Sequence, residues 1–305
     1  MRNWGFHLVE QIVRSNWAIL PSILLSAGAQ LEMILNSAKD LKSEADLFAA
    51  RGEYSFSAIQ ANSFSETDAN PDYDKLSKGS IALFRMSGTM LKYGTLCSYG
   101  TEEVAQQMLR AAHHKNISGA LLISDSGGGG VNSIAPMKDA LLKFEQAGKP
   151  TLDLIDSCYS ASYFKACYTS HIMASNNISA GAGSIGVVAS FQDVRPYYEA
   201  MGHKFHTIYA PESEEKNAAI EEALKGNYDK IKNEELSPMA QMFQKIVKER
   251  RAGKLDLSDE TILKGKTFSA EQSVANGLID SIGNFNDAID MLNALIAAQK
   301  FVNNK

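Results

Sequence analysis

Ser160 begins the run Ser160-Ala161-Ser162-Tyr163-Phe164, and Lys216 lies 56 positions downstream. Residues 181–186, Gly-Ala-Gly-Ser-Ile-Gly, stand between them, and Asp125-Ser126-Gly127-Gly128-Gly129-Gly130-Val131 lies upstream. A serine, a lysine and a glycine-lined turn can run acyl transfer without histidine or metal. The hydroxyl attacks, the amine takes its proton, and bare backbone N–H groups hold the oxyanion. At the first turn of a helix, Ser160 would sit where amide dipoles favour negative charge. The same position suits a plain helix cap. Four consecutive glycines fit an oxyanion site, an extended peptide or a flexible turn. A nucleotide loop is disfavoured because no Gly-Lys-Ser/Thr follows. A lysine serves as a base only in dry surroundings that strip its proton. Glu212, Glu214 and Glu215 beside Lys216 favour the protonated form instead.

Other chemistries find less support. Cys97, Cys158 and Cys167 are an odd number at spacings that match no zinc pattern, and they read as reduced, small apolar fillers. Cys158 lies two residues before Ser160, yet no histidine is positioned to activate it. His7, His113, His114, His171, His203 and His206 form no helical metal pair with an acid between, so neither metal nor cofactor is expected.

The elements that must position these residues follow from composition and pattern. The chain has 305 residues, 45% hydrophobic and 21% charged, which describes an ordinary globular protein with ample core. A net charge of −5 argues against a nucleic-acid surface. Residues 17–28 (WAILPSILLSAG) follow two arginines and end in small residues, like a cleavable signal. Glu10 and Pro21 interrupt that pattern, and the apolar run falls short of the ~18 residues of a membrane span. A docking helix in a soluble, cytoplasmic protein is the expectation. Residues 1–50 read as a helical arm, 51–79 as a linker, and 80–305 as the compact domain. Within that domain strands are expected at 80–86, 119–124, 151–156, 171–174, 185–188 and 204–209. Helices are expected at 101–114 (capped by Thr101), 133–147, from 159 onward, at 193–201 and at 227–251. Strand–helix alternation with short links predicts a mainly parallel α/β sheet covered by helices.

Together these motifs resemble the signal peptide peptidase A family of serine peptidases over roughly residues 80–295. Residues 125–131 match Asp-Ser-Pro-Gly-Gly-x-Val, with Gly127 in place of proline. Residues 160–163 correspond to a Ser-Gly-Gly-Tyr nucleophile motif, with Ala161 and Ser162 in place of its glycines. Residues 183–187 match Gly-Ser-Ile-Gly-Val, and Ile208-Tyr209 followed by a longer loop to Lys216 is similar to the lysine block. Residues 265–270 and 275–280 are similar to the closing motif.

The resemblance implies a Clp protease/crotonase-like fold and a Ser–Lys dyad of Ser160 and Lys216. Ser184 would position the lysine, and the amides of Gly128 or Gly129 and Ala161 would form the oxyanion hole. It further implies peptide or protein substrates and homo-oligomers; the narrow surroundings of Ser160 separately predict a preference for small or apolar side chains. The phage and prophage branch, whose members digest scaffold and capsid precursors, looks nearest. A signal-peptide-degrading peptidase, a crotonase-like acyl-CoA enzyme and a catalytically inactive assembly protein are the alternatives.

Overall fold

The structure is a computed structural model that describes residues 17–19, 56–61, 63, 65–94, 99–191 and 193–303. Strand β1 (Trp17–Ile19) stands first, and β2 (Phe56–Ile59) and β3 (Ser80–Ser87) follow. Then come helix α1 (Thr101–His113), β4 (Ile117–Ser126), β5 (Gly128–Gly130), α2 (Ile134–Gln146) and β6 (Thr151–Tyr159). Helix α3 (Ala161–Ala166) leads to β7 (His171–Ala174), β8 (Gly181–Gly183), α4 (Arg195–Ala200) and α5 (Ala218–Leu224). The chain continues with α6 (Ser237–Arg250), β9 (Thr267–Ser269), α7 (Ala270–Ala275), β10 (Ser281–Ile282) and α8 (Phe285–Asn303).

The main sheet runs in the order β10-β7-β6-β4-β3-β2, parallel except for β2 at its edge. Its central strands are apolar almost throughout because both faces are covered. Ile81, Leu83, Leu121, Leu152 and Leu154 face α8, where Ala288, Ile289, Leu292 and Ile296 recur at helical spacing. Ala82, Phe84, Ala120, Leu122 and Ile155 face the opposite way, into the core that Val104, Met108, Met137, Leu141 and Phe144 of α1 and α2 close. The mixed α/β fold with a mostly parallel sheet and flanking helices is therefore the one expected.

The long strand β6 divides the sheet. Residues 152–155 pair with β7, whereas residues 157–159 pair with β8, which in turn carries β9 antiparallel. This fork opens at the C-terminal end of the strands, where α/β proteins place their ligand sites.

Several elements differ from expectation. Phe56–Ile59, read as linker, is an edge strand that pairs Phe56 with Phe84 and Ile59 with Ile81. Trp17–Ile19, read as part of a helical arm, is a strand paired with β5. The rest of residues 1–50 lies outside the described residues, as do Cys97 and His7. Residues 204–209 form no strand. Phe205 is half exposed and Ile208 is 92% exposed, so the run finds no neighbour to pair with. The strand expected at 185–188 falls earlier, at Gly181–Gly183. Gly100, not Thr101, is the N-cap of α1, and its N–H donates to Glu103 Oε2 at 2.9 Å. The expected helix over 227–251 is interrupted by a π turn, Lys232–Leu236, before α6.

The closing segment is tied down by charge. Arg251, buried, donates from Nε to the Gly277 carbonyl (2.9 Å) and from Nη1 to Asp280 Oδ2 (2.9 Å). Lys254 Nζ and the Ile172 N–H also donate to Asp280, at 2.6 and 2.8 Å. Burial alone would raise the Asp280 carboxyl, but the hydrogen bonds from Arg251 and Lys254 overcome it and hold the group at about 2. A carboxylate depressed in this way stabilises the fold above its unfolded value near 4, and the contribution disappears as pH falls through 2. The stability gap between the wild-type chain and Asp280→Asn is expected to narrow by about 2 kcal/mol from pH 5 to pH 2. Urea unfolding at stepped pH checks this, and a constant gap would contradict it.

Candidate active site

The site is built at the fork. Ser126 of β4 pairs with Cys158 of β6, so the two chains run on side by side to Gly128 and Ser160. Tyr159 pairs with Gly183, which brings Ser184 alongside as well. The sequence motifs around residues 128, 160 and 184 thus converge on one edge, although they are spread over nearly sixty positions.

Glycine is required in β5 for two different reasons. Gly128 holds φ +104°, a conformation side chains disfavour. At Gly129 an added Cβ would lie 1.9 Å from the Met90 carbonyl oxygen. Met90 donates its N–H to the Gly128 carbonyl (2.8 Å) and accepts from the Gly130 N–H (3.0 Å). Alternate residues of an extended strand point their polar groups to opposite edges, so those of Gly129 face away from Met90. That edge is where β1 pairs. The Gly128 N–H is turned to Ser126 Oγ at 3.2 Å, a contact it would exchange to serve an oxyanion.

Ser160 caps α3 at φ +55°, ψ −118°, a conformation that costs a non-glycine residue on the order of 1–3 kcal/mol. It is 1% exposed, its N–H donates to the Gly183 carbonyl (2.9 Å), and Oγ reaches the Gly186 carbonyl at 3.5 Å. It makes no side-chain cap, so the plain capping reading fails here. Ala161 is the first residue of α3 and buried; N–H groups of a first helical turn have no intrahelical partner. Ser184, also at φ +55°, is nearly buried, and its N–H donates to the Lys266 carbonyl (2.8 Å).

Three buried residues that sequence reasoning missed hold α3 in place. Lys165 Nζ lies 2.7 Å from Asp153 Oδ2 and donates to Ser124 Oγ at 2.6 Å, and Ser124 donates to Asp153 Oδ1 at 2.6 Å. The Lys165 and Asp153 side chains are both fully buried. On the other flank Tyr163 Oη donates to the Leu278 carbonyl at 2.7 Å. The helix after Ser160 is therefore pinned to β4, β6 and the closing segment, and this reinforcement maintains the strained serine. A signal existed: Asp153 is the single charge inside Thr151-Leu-Asp-Leu-Ile, and Lys165 sits in an apolar helix.

Lys216 is not brought to Ser160 within the chain. It lies exposed between residues 211–213 and α5, and among the described residues it makes no hydrogen bond or ion pair with Ser160. Cys158 and Cys167 are fully buried, and burial pushes both thiols up to about 12, which removes them as nucleophiles. No group of three His, Cys, Asp or Glu side chains among the described residues could hold a metal ion. No helix there is long and apolar enough to cross a membrane.

A strained serine at the end of a central parallel strand, beside a glycine strand, makes a candidate nucleophile site in a mixed α/β fold. The chain belongs to peptidase family S49, whose model matches residues 143–299, a stretch holding Ser160, Ser184 and Lys216 but not the glycine strand. It is 27% identical over 206 residues to a protein of Enterococcus faecium carrying the name signal peptide peptidase SppA, covering 64% of this chain and 56% of that one. It is 25% identical over 213 residues to Protease 4 of Salmonella typhi, covering 69% of this chain and 34% of that protein. The chain thus spans from about a third to just over half the length of these relatives. Among solved structures, a variant of the 1510-N membrane-bound stomatin-specific protease aligns with TM-score 0.45 at 13% identity, covering 70% of this chain and 85% of that one.

Proposed function

We propose that this chain is a serine endopeptidase in which Ser160 attacks the scissile carbonyl and Lys216 of a neighbouring copy takes the proton. The carrying observation is Ser160 itself, buried and strained at the junction of β6 and α3 beside Gly128–Gly130. The amides of Gly128 or Gly129 and of Ala161 receive the oxyanion; loss of one such donor costs about 2.7–4 kcal/mol of barrier. Lys216 returns its proton to the leaving amine, and Ser184 holds the lysine in place.

A second copy is favoured by the surface near the lysine. Phe191, Val194, Tyr197, Met201, Phe205 and Ile208 are all exposed on the stretch preceding Lys216. A stretch this rich in exposed large apolar side chains is suited to a contact surface. Burial there would supply the dry surroundings that free an amine of its proton. Substrates on this reading are scaffold and capsid precursors of a phage head, with signal peptides as the second choice; the motif set supports either.

A fluorophosphonate probe is expected to label Ser160 in the assembled protein, and absence of labelling would refute the nucleophile. Mixing separately inactive Ser160→Ala and Lys216→Ala chains, after dissociation and reassembly, is expected to restore peptide hydrolysis. A mixture as inactive as its parents would place the base within one chain or remove Lys216 from the role.

A further inference from the structure

The glycine strand already has an occupant. Trp17–Ile19 runs antiparallel along it, with Trp17 opposite Gly130, Ala18 opposite Gly129 and Ile19 opposite Gly128. The two strands form a sheet of their own, apart from the main one. One edge of β5 is taken by Met90, which bonds to Gly128 and Gly130. The edge that Gly129 faces is therefore the one left for an extended peptide, and β1 fills it along the whole of β5. The covered strand is the one beside the nucleophile. Ser126 pairs with Cys158 just ahead of the site, and α3, which starts one residue after Ser160, packs against β5.

Both candidate oxyanion donors of β5 are engaged at the same time. The Gly128 N–H is held by Ser126 Oγ at 3.2 Å, and Ser126 Oγ donates in turn to the Gly88 carbonyl at 2.6 Å. The Gly129 N–H is directed at Ala18, its partner across the two strands. An extended peptide adds to a sheet edge through main-chain pairing, and two peptides cannot share one edge. From this we infer that β1 is an autoinhibitory strand: Trp17–Ile19 occupies the edge that a substrate needs, and hydrolysis begins only when it is displaced. The inference rests on the serine-peptidase reading above, with β5 as the strand that receives substrate. Because β1 belongs to the chain it blocks, it competes at an effective concentration that dilution does not lower. Such a competitor raises KM and leaves kcat alone, since saturating substrate displaces it.

The test compares the full wild-type chain with Ala18→Pro, by initial rates on an added peptide and by fluorophosphonate labelling of Ser160. Proline removes the N–H at the centre of the paired segment and leaves every residue of the site in place. It is expected to lower KM about fivefold with kcat unchanged, because the fraction of chains with a vacant edge rises. A capped peptide of residues 15–21, added in trans to either chain, is expected to inhibit competitively, and the same peptide N-methylated at Ala18 to do nothing. The pair of peptides probes the edge on the wild-type chain even if the variant fails to fold. Three results would overturn the inference and leave the peptidase reading intact. They are an equal KM in both chains, a variant that labels but has a lower kcat/KM than wild type, or equal effects of the two added peptides. Chains that neither label nor hydrolyse peptide would sink both.

Discussion

Replacing Ser160 with alanine is expected to lower kcat/KM for peptide hydrolysis on the order of 10⁴-fold or more. The group that forms the acyl-enzyme is lost, and what remains is binding along β5 plus oxyanion stabilisation, which accelerates water attack only weakly. The fold should survive, because Oγ makes a single long contact at 3.5 Å and no cap. Ser160→Gly separates chemistry from architecture. Glycine adopts φ +55° without penalty, so this variant should be as inactive as the alanine one, yet about 1 kcal/mol more stable than wild type. Steady-state kinetics with denaturant unfolding on all three chains decides the matter. Activity in Ser160→Ala within tenfold of wild type would remove the nucleophile assignment. A glycine variant less stable than the wild-type chain would remove the strain.

The second large effect concerns Asp153. Removing its carboxylate leaves the Lys165 ammonium fully buried with only Ser124 Oγ for company. Breaking a buried pair from one side costs about 3–5 kcal/mol, because the remaining charge is uncompensated. Asp153→Ala is therefore expected to lose that much stability and to impair catalysis through a loosened α3. The double substitution Asp153→Leu with Lys165→Met removes both charges and should recover most of the loss. If the single change cost under about 1 kcal/mol, the pair would not be what holds α3 to the sheet.

The parts of this molecule legible in its sequence are those whose environment is local or uniform. β3, β4, β6 and β7 show as apolar runs because both their faces are buried, and α1 shows through the helical spacing of Val104, Met108 and Ala111; α8 was not read, although Ala288, Leu292 and Ile296 recur at the same spacing. The parts that were not legible depend on distant partners. Phe56–Ile59 is a strand only because β3 lies beside it, while the surrounding polar residues look like linker. Residues 204–209 have strand-like composition, yet no edge is offered to them. The residues of the candidate site were visible as motifs, and the fork of β6 explains why those motifs meet. Lys216 was visible too, but a lone lysine in an acidic loop carries no local sign of its surroundings, and it stands exposed.

Glycine at position 129, hemmed in by the Met90 carbonyl, has one more implication for what such a molecule selects. An edge without side chains has nothing with which to tell one amino acid from another. On the proposed function, what that edge would read is bare amide and carbonyl, three or so residues long and unclaimed by any helix or sheet. A preference for small or apolar side chains would have to come from the surroundings of Ser160 instead. A target would then be chosen by how often a stretch of it melts free, and its survival time would follow its own conformational stability more closely than any cleavage consensus.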